Sequence, residues 1–183
     1  MSNPTKDKDK AAHPRVLAPA PVSGAAFREA LARFASGVTI VAAYDGSTAV
    51  GFTATGFTSV SLLPPLILVC VGRATRVHDP VVSAAYFSVN ILDERQSWLA
   101  SRFAQPGIDR FCGVSLRVET EDRAPLIDNA LANLQCRHQV DHEAGDHTIL
   151  VGEVVDACVA PGTPLLHFAR RFGAFVQQRP RPR

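Results

Sequence analysis

Residues Ala49–Gly72 read AVGFTATGFTSVSLLPPLILVCVG, and this segment constrains how the rest of the chain can fold. Its first part, up to Ser59, contains two glycines and four hydroxyl side chains. A ligand can approach such a backbone closely and meet hydroxyl and N–H donors. Its last part, Leu66–Val71, is a continuous apolar run that is too short for a buried helix and predicts a strand covered on both faces. The segment therefore predicts a ligand-binding loop that leads into a buried strand.

The composition is typical of one globular domain. A chain of 183 residues with 46% hydrophobic and 20% charged residues can bury a single core. Its net charge of +2 argues against a large nucleic-acid-binding surface. Apolar segments are shorter than the ~20 residues that span a bilayer, and the N-terminus lacks the apolar region of a secretory signal. We therefore expect a cytoplasmic protein that binds neither membranes nor nucleic acids.

The two ends of the chain differ from the rest. Residues 1–23 are rich in Lys, Asp, Pro and Ala without periodicity, which predicts a disordered N-terminal tail. Residues 179–183 alternate Arg and Pro and are expected to form an unpacked C-terminal tail. A single folded domain is therefore predicted over residues 24–178.

Many short strands and a few helices are predicted between these tails. Ser23 is suited to cap a helix that ends near Gly37, and Asp93 with Gln96 forms a capping-box pattern before another helix. Strands are predicted on both sides of the Asp45-Gly46 turn (residues 38–44, then up to 52) and at residues 66–71, 86–92, 134–140, 147–160 and 164–168. The pattern shows no β-α-β alternation, so we expect a mainly β antiparallel barrel with peripheral helices.

Several familiar catalytic motifs are absent from the sequence. It has no G-x-G-x-x-G after the first strand, no G-K-[ST], no G-x-S-x-G and no H-E-x-x-H. Rossmann-type dinucleotide binding, nucleotide hydrolysis, ordinary esterase chemistry and zincin proteolysis therefore lose support.

Cysteine and histidine lack the spacing of a metal site. The cysteines are Cys70, Cys112, Cys136 and Cys158. They form no C-x-x-C pair, as expected of small hydrophobic residues in a reducing compartment. His138, His142 and His147 lie near Cys136 and could ligate a metal, but surface histidines on a hairpin are the simpler interpretation. We predict no metal site.

A series of short segments occurs in a recognisable order between about Ala25 and Phe175. The segments are Phe27-Arg28-x2-Leu31-x2-Phe34-x2-Gly37-Val38-Thr39, Gly51-Phe52-Thr53-Ala54, Phe57-Thr58-Ser59-Val60-Ser61-Leu62, Pro64-Pro65-Leu66, Phe87-x-Val89-Asn90-x-Leu92, Arg102-Phe103, Asp109-Arg110-Phe111, Gly145-Asp146-His147-Thr148, Gly152-Glu153-Val154 and Pro164-Leu165-Leu166. Each segment is unspecific, but the ordered set resembles the short-chain flavin reductases. That family has the FMN-binding split-barrel fold and includes the reductase components of two-component flavin-dependent monooxygenases.

The resemblance implies an activity, cofactors and partners. An NAD(P)H:flavin oxidoreductase would pass a hydride from NADH or NADPH to FMN or FAD and supply reduced flavin to a partner monooxygenase. The family also implies a homodimer with flavin sites near the subunit interface. Two alternatives remain open: a flavoprotein that retains FMN and has little free-flavin reductase activity, and a related split-barrel oxidase of a small metabolite.

The resemblance also implies a set of site residues. His147 is assigned to the nicotinamide side and is the candidate catalytic residue. Arg73 and Arg76 are candidates for the flavin phosphate, and Ser59 for the ribityl chain or phosphate. The complete cofactor-binding set is Gly51, Phe52, Thr53, Ala54, Thr55, Gly56, Ser59, Val60, Gly72, Arg73, Ala74, Arg76, His147, Arg171 and Phe172.

Each of these assignments has a structural alternative. The glycine- and threonine-rich segment could be a tight bulged loop, the arginines a solvated surface, and His147 a turn residue that bonds its own loop. The family commonly carries a polar residue such as Asn and then Ser at the positions of Thr55 and Gly56. Gly56 therefore lacks one side-chain donor for the flavin ring edge.

Overall fold

The computed structural model describes residues 20–117 and 123–177. The predicted N-terminal tail lies outside the described residues as far as residue 19, and the predicted C-terminal tail lies wholly outside them. The described residues form three α-helices, a short 3-10 helix and twelve strands. The helices are α1 (Gly24–Leu31), α2 (His78–Ser83) and α3 (Ser97–Ala104), with the 3-10 helix at Glu94–Gln96. The strands are β1 (Ser36–Gly37), β2 (Thr39–Asp45), β3 (Thr48–Ala54), β4 (Phe57–Leu62), β5 (Pro65–Gly72), β6 (Tyr86–Ile91), β7 (Leu116–Arg117), β8 (Leu126–Ile127), β9 (Ala132–Ala144), β10 (His147–Val159), β11 (Leu165–Phe168) and β12 (Arg171–Ala174).

Seven of the described strands form one antiparallel sheet in the order β3-β2-β6-β9-β10-β5-β4. β3 and β4 stand at the two ends of this order, and the short connection Thr55-Gly56 joins them. The backbone N–H of Cys70 on β5 donates to the carbonyl of Gly56 at 2.8 Å, which draws the connection onto the sheet. The two ends of the sheet are thus brought together, and the predicted mainly β, antiparallel split barrel is confirmed.

Two apolar clusters hold the barrel together. One fills its interior and includes Val69, Phe87 and Leu150, all fully buried. The other lies under α3 and includes Ile40 and Phe103. The interior cluster comes mainly from inward-facing strand residues, whereas the second cluster combines residues such as Ile40 with residues of α3, which covers the outer side of β2 and β3.

The start of α1 is confirmed, but its predicted end is wrong. The hydroxyl of Ser23 accepts a hydrogen bond from the N–H of Ala26 at 3.2 Å, as a helix cap should. The helix ends at Leu31, and Gly37 lies instead in β1, opposite Leu166 of β11. Every residue of α1 is exposed, so burial does not stabilise further helical turns, and strand pairing takes up the backbone groups that follow.

The prediction that residues 66–71 are covered on both faces is wrong for the single chain. Ile67, Val69 and Val71 are buried in the barrel, whereas the alternating positions Leu66 and Leu68 point outwards and are half-buried. The segment before this strand, expected as a loop, is largely strand β4, because its backbone pairs with β5. The apolar run therefore has one face that the single chain leaves partly uncovered.

β12 was not expected from the sequence. It pairs with β11 in a second small sheet, β1-β11-β12, and all four of its residues are exposed. A strand with no buried face lacks the alternation by which strands are recognised. Among the described helices, none has the length and apolar character needed to cross a membrane.

Candidate functional site

The predicted phosphate loop and the predicted nicotinamide histidine meet at the tip of the β9–β10 hairpin. In the register of β5 and β10, Gly72 lies opposite His147. The backbone N–H of Arg73 donates to the carbonyl of Asp146 at 3.0 Å. The structure therefore brings Gly72, Arg73 and His147 together, although 75 residues separate the first from the last (147 − 72).

The connection from β5 to α2 is a tight turn. The N–H and the hydroxyl of Thr75 both donate to the carbonyl of Gly72, at 3.1 and 2.8 Å. The N–H of His78 donates to the carbonyl of Thr75 at 3.1 Å. Ala74 and Arg76 are exposed on this turn. A turn that presents guanidinium groups and backbone donors suits an anion such as a phosphate.

The guanidinium of Arg73 has a weak partner. Its Nη1 lies 3.4 Å from Oε2 of Glu143, and the two side chains are 47% and 76% exposed. An ion pair with that exposure contributes little, because water screens it. A phosphate can therefore compete with Glu143 for Arg73.

His147 is oriented by the carboxylate beside it. Its Nδ1 lies 2.7 Å from Oδ1 of Asp146, and this hydrogen bond holds the pKa of Asp146 below its ordinary value. An ionised carboxylate can only accept, so Nδ1 carries the proton. Nε2 then faces the surface above Gly72, since a methyl group built on Gly72 would lie 3.7 Å from it. The half-exposed imidazole thus offers Nε2 to a bound molecule.

Thr55 and Gly56 lie beside this tip. Both are exposed, and the carbonyl of Gly56 accepts a hydrogen bond from the N–H of Cys70, which lies two residues before Gly72 on β5. A methyl group on Gly56 would lie only 3.1 Å from Cβ of Cys70. Because Gly56 has no side chain, it leaves room for Cys70, and the backbone at this position remains open to a ligand.

The predicted residues Gly51 and Thr53, which precede Thr55, make their hydrogen bonds within the fold. The hydroxyl of Thr53 donates to the carbonyl of Ala100 on α3 at 2.6 Å, and the carbonyl of Gly51 accepts from Nη1 of Arg110 at 2.7 Å. Burial lowers the pKa of Arg110, whose charge faces backbone carbonyls. The side chain of Thr53 and the carbonyl of Gly51 are therefore engaged by α3 and by Arg110 and are not offered to a ligand.

Phe52 and Ala54 point the other way, into the barrel. Ala54 is buried in the interior cluster and Phe52 packs against it. The carbonyl of Ala54 accepts a hydrogen bond from the hydroxyl of Thr39 at 3.0 Å. Ala54 therefore offers little to a flavin ring. Of residues 51–56 in the predicted cofactor-binding set, only Thr55 and Gly56 are exposed.

Gly51 and Arg76 border a cavity of about 360 Å³ on the outer side of β3. Its wall is mainly apolar and includes Val50, Ile108 and Phe111. The cavity brings Arg76 close to the loop that Arg110 holds in place. The sequence had indicated Asp109-Arg110-Phe111 as part of the family pattern but not as a neighbour of Arg76.

Ser59 and Val60 are exposed on β4, the strand at the edge of the main sheet. The register of β4 against β5 shifts between Ser59 and Ser61, so Val60 sits in a bulge. An edge strand with a bulge exposes backbone groups that a ligand can use.

Arg171 and Phe172 lie on β12, in a different sheet from the β9–β10 hairpin. The ring of Phe172 lies 5.7 Å from that of His167, and Phe172 borders a second cavity of about 370 Å³ with Glu94, Ser97 and Leu165. This cavity shares none of its described lining residues with the one beside Arg76. The structure does not bring Arg171 and Phe172 together with the other predicted residues within one cavity.

The histidines and cysteines form no metal site among the described residues, where no group of three His, Cys, Asp or Glu side chains is placed to hold an ion. His138 lies 3.5 Å from Asp141, while His142 lies opposite Ile149 on the neighbouring strand. Burial raises the pKa of Cys136 to about 12, so its thiol stays protonated at neutral pH. All four cysteines are free.

The sequence patterns did not identify His78 and Thr148 as residues near the candidate site. His78 and Thr148 are hydrogen-bonded to each other at 2.8 Å. Thr148 belongs to the Gly-Asp-His-Thr segment, but His78 carries no motif of its own. Its role depends on a strand pairing between distant segments, which local sequence cannot reveal.

Comparison with known proteins gives a consistent result. Residues 31–175 match the sequence model of the flavin reductase like domain. The chain is 42% identical over 159 residues to the reductase component of a 4-nitrophenol 4-monooxygenase/4-nitrocatechol 2-monooxygenase of Rhodococcus opacus, covering 87% of this chain and 85% of that protein. It is 36% identical over 163 residues to an FMN reductase (NADH) of Agrobacterium fabrum, covering 89% of this chain and 92% of that protein.

A solved structure shows the same similarity. The NADH:FAD oxidoreductase of Streptomyces globisporus, in complex with NAD and FAD fragments, superposes with a TM-score of 0.77 at 39% sequence identity. The similarity covers 82% of this chain and 91% of that one.

Proposed function

Because this chain belongs to the flavin reductase-like domain family, we propose that it is an NAD(P)H:flavin oxidoreductase that transfers a hydride from NADH or NADPH to FMN or FAD. The observation that carries this conclusion is the agreement in fold and sequence with an NADH:FAD oxidoreductase along most of both chains. The nicotinamide supplies the hydride and the flavin ring accepts it, so the protein has to bind and orient the two reactants.

The hairpin tip fits this task. The missing side chain at Gly72 keeps a shallow cradle open between Thr75 and His147, since a methyl group there would contact both at 3.5 and 3.7 Å. Arg73 and Arg76 supply positive charge for the flavin phosphate. Nε2 of His147 hydrogen-bonds the pyridine nucleotide and thereby orients it.

The remaining predicted residues have supporting roles in this proposal. The exposed backbone of Thr55 and Gly56 donates to the flavin ring edge, and Ser59 with Val60 borders the ribityl chain. Residues 51–54 contribute through the backbone of β3, which leads to Thr55, because the fold already uses the side chains of Phe52, Thr53 and Ala54. Arg171 and Phe172 cover the nicotinamide only if a second copy of the chain or a movement of β12 brings them there.

The reductase activity is tested by following NADH consumption in air. We expect consumption to depend on added FMN or FAD and to continue through many turnovers, because oxygen regenerates the oxidised flavin. Consumption that does not respond to flavin would contradict the proposal. Running the assay with NADPH as well ranks the two hydride donors.

A homodimer is part of the proposal, and the outer face of the barrel supports it. On this face Leu66, Leu68 and Cys70 of β5 lie beside Ile149 and Val151 of β10, and all five are half-buried in the single chain. The apolar run of β5 has the composition of a strand covered on both sides. A second copy of the chain would provide the missing cover next to the hairpin tip.

Light scattering after size exclusion tests the dimer. We expect a mass near twice 19.6 kDa and a shift towards the single-chain mass when Leu68 is replaced by Glu. Leu68→Ala is the matched control, because it shortens the side chain without adding a charge. A wild-type protein that elutes with the mass of one chain would overturn this part of the proposal.

We also place a flavin-dependent oxygenase downstream as the acceptor of the reduced flavin. Relatives named as reductase components of monooxygenases support this step. The test is a candidate oxygenase supplied with flavin, NADH and this protein. Product formation should match or exceed that obtained with chemically reduced flavin, and an absence of product with this protein would contradict the step.

A further inference from the structure

The imidazole of His78 links α2 to β10. Its Nε2 lies 2.8 Å from Oγ1 of Thr148, and its Nδ1 lies 2.7 Å from Oδ1 of Asp79. The ring is largely shielded from water, with 15% of the side chain exposed, and Thr148 is 3% exposed. A short hydrogen bond at such a site is protected from competition with water.

The direction of these hydrogen bonds follows from the partners. The exposed carboxylate of Asp79 can only accept, so Nδ1 of His78 carries the proton. In the neutral ring Nε2 is then the acceptor, and the hydroxyl of Thr148 donates to it. Both nitrogens of His78 are thereby satisfied.

The hydrogen bond between His78 and Thr148 joins two segments that are far apart in the sequence. His78 is the first residue of α2 and directly follows the turn that presents Arg73 and Arg76. Thr148 directly follows His147 on β10. The bond therefore joins the loop proposed to hold the flavin phosphate to the strand that carries the proposed nicotinamide ligand.

The body of α2 is fixed independently of the His78 ring. Val81 is fully buried and anchors the body of the helix in the barrel. The residue at the N-cap position is Val77, whose apolar side chain cannot accept a hydrogen bond from the first turn. Strand pairing holds Thr148 against Val71 independently of His78. Backbone hydrogen bonds hold Arg73 and Thr75 in the turn, so losing the bond should loosen the end of the turn around Arg76 and leave β10 in place.

We propose that His78 and Thr148 are positioning residues whose hydrogen bond fixes the β5–α2 turn for binding of the flavin phosphate. The inference rests on the proposed function and deepens it, because the affinity for flavin then depends on two residues outside the predicted cofactor-binding set. Neither residue touches the reacting atoms.

The test uses the full chain and the isosteric variant Thr148→Val, which removes the hydroxyl and keeps the shape. We expect the KM for FMN, or for FAD if wild type prefers it, to rise roughly three- to tenfold, as the loss of one protected hydrogen bond implies. The KM for NADH at saturating flavin should stay within about twofold, because β10 keeps its place. Thr148→Ser restores the hydroxyl and should restore the flavin KM.

A second variant guards against a folding defect. His78→Phe keeps a ring of similar size and removes both nitrogens, and it should raise the flavin KM as Thr148→Val does. The double variant should be no worse than either single one, since both remove the same bond.

Equal changes in the two KM values, no change in either, or a failure of Thr148→Ser to restore flavin binding would overturn the inference. A wild-type protein without flavin-dependent NADH consumption would instead overturn the proposed function, so the two failures are distinguishable.

Discussion

At the scale of single residues, His147 is the best-defined candidate for contact with a substrate. Asp146 fixes the ring so that Nε2 faces the surface above Gly72. The sequence suggested His147 through its family segment. It could not show the pairing with Gly72, because the register of two strands 75 residues apart (147 − 72) depends on the packing of the whole barrel.

Replacing His147 by Ala should lower kcat/KM for NADH roughly tenfold, the loss that one hydrogen bond of about 1.4 kcal/mol implies. The KM for flavin should change little, because Arg73 and the turn that follows it remain. Steady-state rates at varied NADH and fixed saturating flavin measure the effect. His147→Gln keeps an acceptor, its amide oxygen, in reach and should recover part of the activity; an equal loss in both variants would contradict a hydrogen-bonding role.

A second residue-scale prediction concerns packing. A methyl group on Gly152 would lie 2.5 Å from Cζ of Phe87 and 3.1 Å from Cβ of Cys136, and both side chains are fully buried. Gly152→Ala should therefore lower the free energy of unfolding by about 1–3 kcal/mol through overpacking.

Denaturant unfolding measures this change, and Gly37→Ala is the matched control. A methyl group on Gly37 meets no described atom within 4 Å, so the control should stay within about 0.5 kcal/mol of wild type. Equal effects of the two substitutions would show that Phe87 is not packed against Gly152 as described.

At the scale of elements, the segment before α3 is fixed by a capping box that the sequence predicted. Oδ1 of Asp93 accepts from the N–H of Arg95 at 3.0 Å, and Oε1 of Gln96 accepts from the N–H of Asp93 at 3.0 Å. Nε of Arg95 adds a third bond to Asp93 at 2.6 Å. The hydrogen bonds from the guanidinium and the backbone N–H of Arg95 hold the pKa of Asp93 below its ordinary value of 3.8.

The ionised form of Asp93 therefore stabilises the folded state at neutral pH. This stabilisation is complete above pH 3.8 and is lost as the pH falls through the lowered pKa of the folded protein. Asp93→Ala should cost about 1–2 kcal/mol at neutral pH, the usual range for a lost cap.

Urea unfolding at neutral and acidic pH measures both effects. Asp93→Asn, which cannot titrate, serves as the control and should flatten the acid dependence contributed by this site. A variant that keeps the full acid dependence of wild type would show that Asp93 does not contribute to it.

Two of the features that the sequence did not predict share a physical cause. Strands with a buried face, such as β2 and β6, were predicted from their apolar residues. The end of α1 and strand β12 were not, because their residues are exposed and the β1-β11-β12 sheet is held by backbone pairing between distant segments. Local sequence carries little information about pairing of that kind.

At the scale of the whole molecule, the split barrel brings its candidate site together from three places. The β3–β4 connection, the β5–α2 turn and the tip of the β9–β10 hairpin lie next to one another because β4, β5 and β10 are neighbours in the sheet. The family pattern predicted the fold and named residues from all three segments. It did not indicate that Thr53 and Ala54 would be occupied by contacts within the barrel.

The central claim is that this protein reduces free flavin repeatedly at the expense of a pyridine nucleotide. The most direct measurement is the flavin absorbance under anaerobic conditions, with a small amount of protein, excess FMN or FAD, and NADH added last. Loss of absorbance far in excess of the protein concentration is the result expected of a flavin reductase. Loss limited to the protein concentration would indicate a retained flavin, and unchanged absorbance with both NADH and NADPH would contradict the claim.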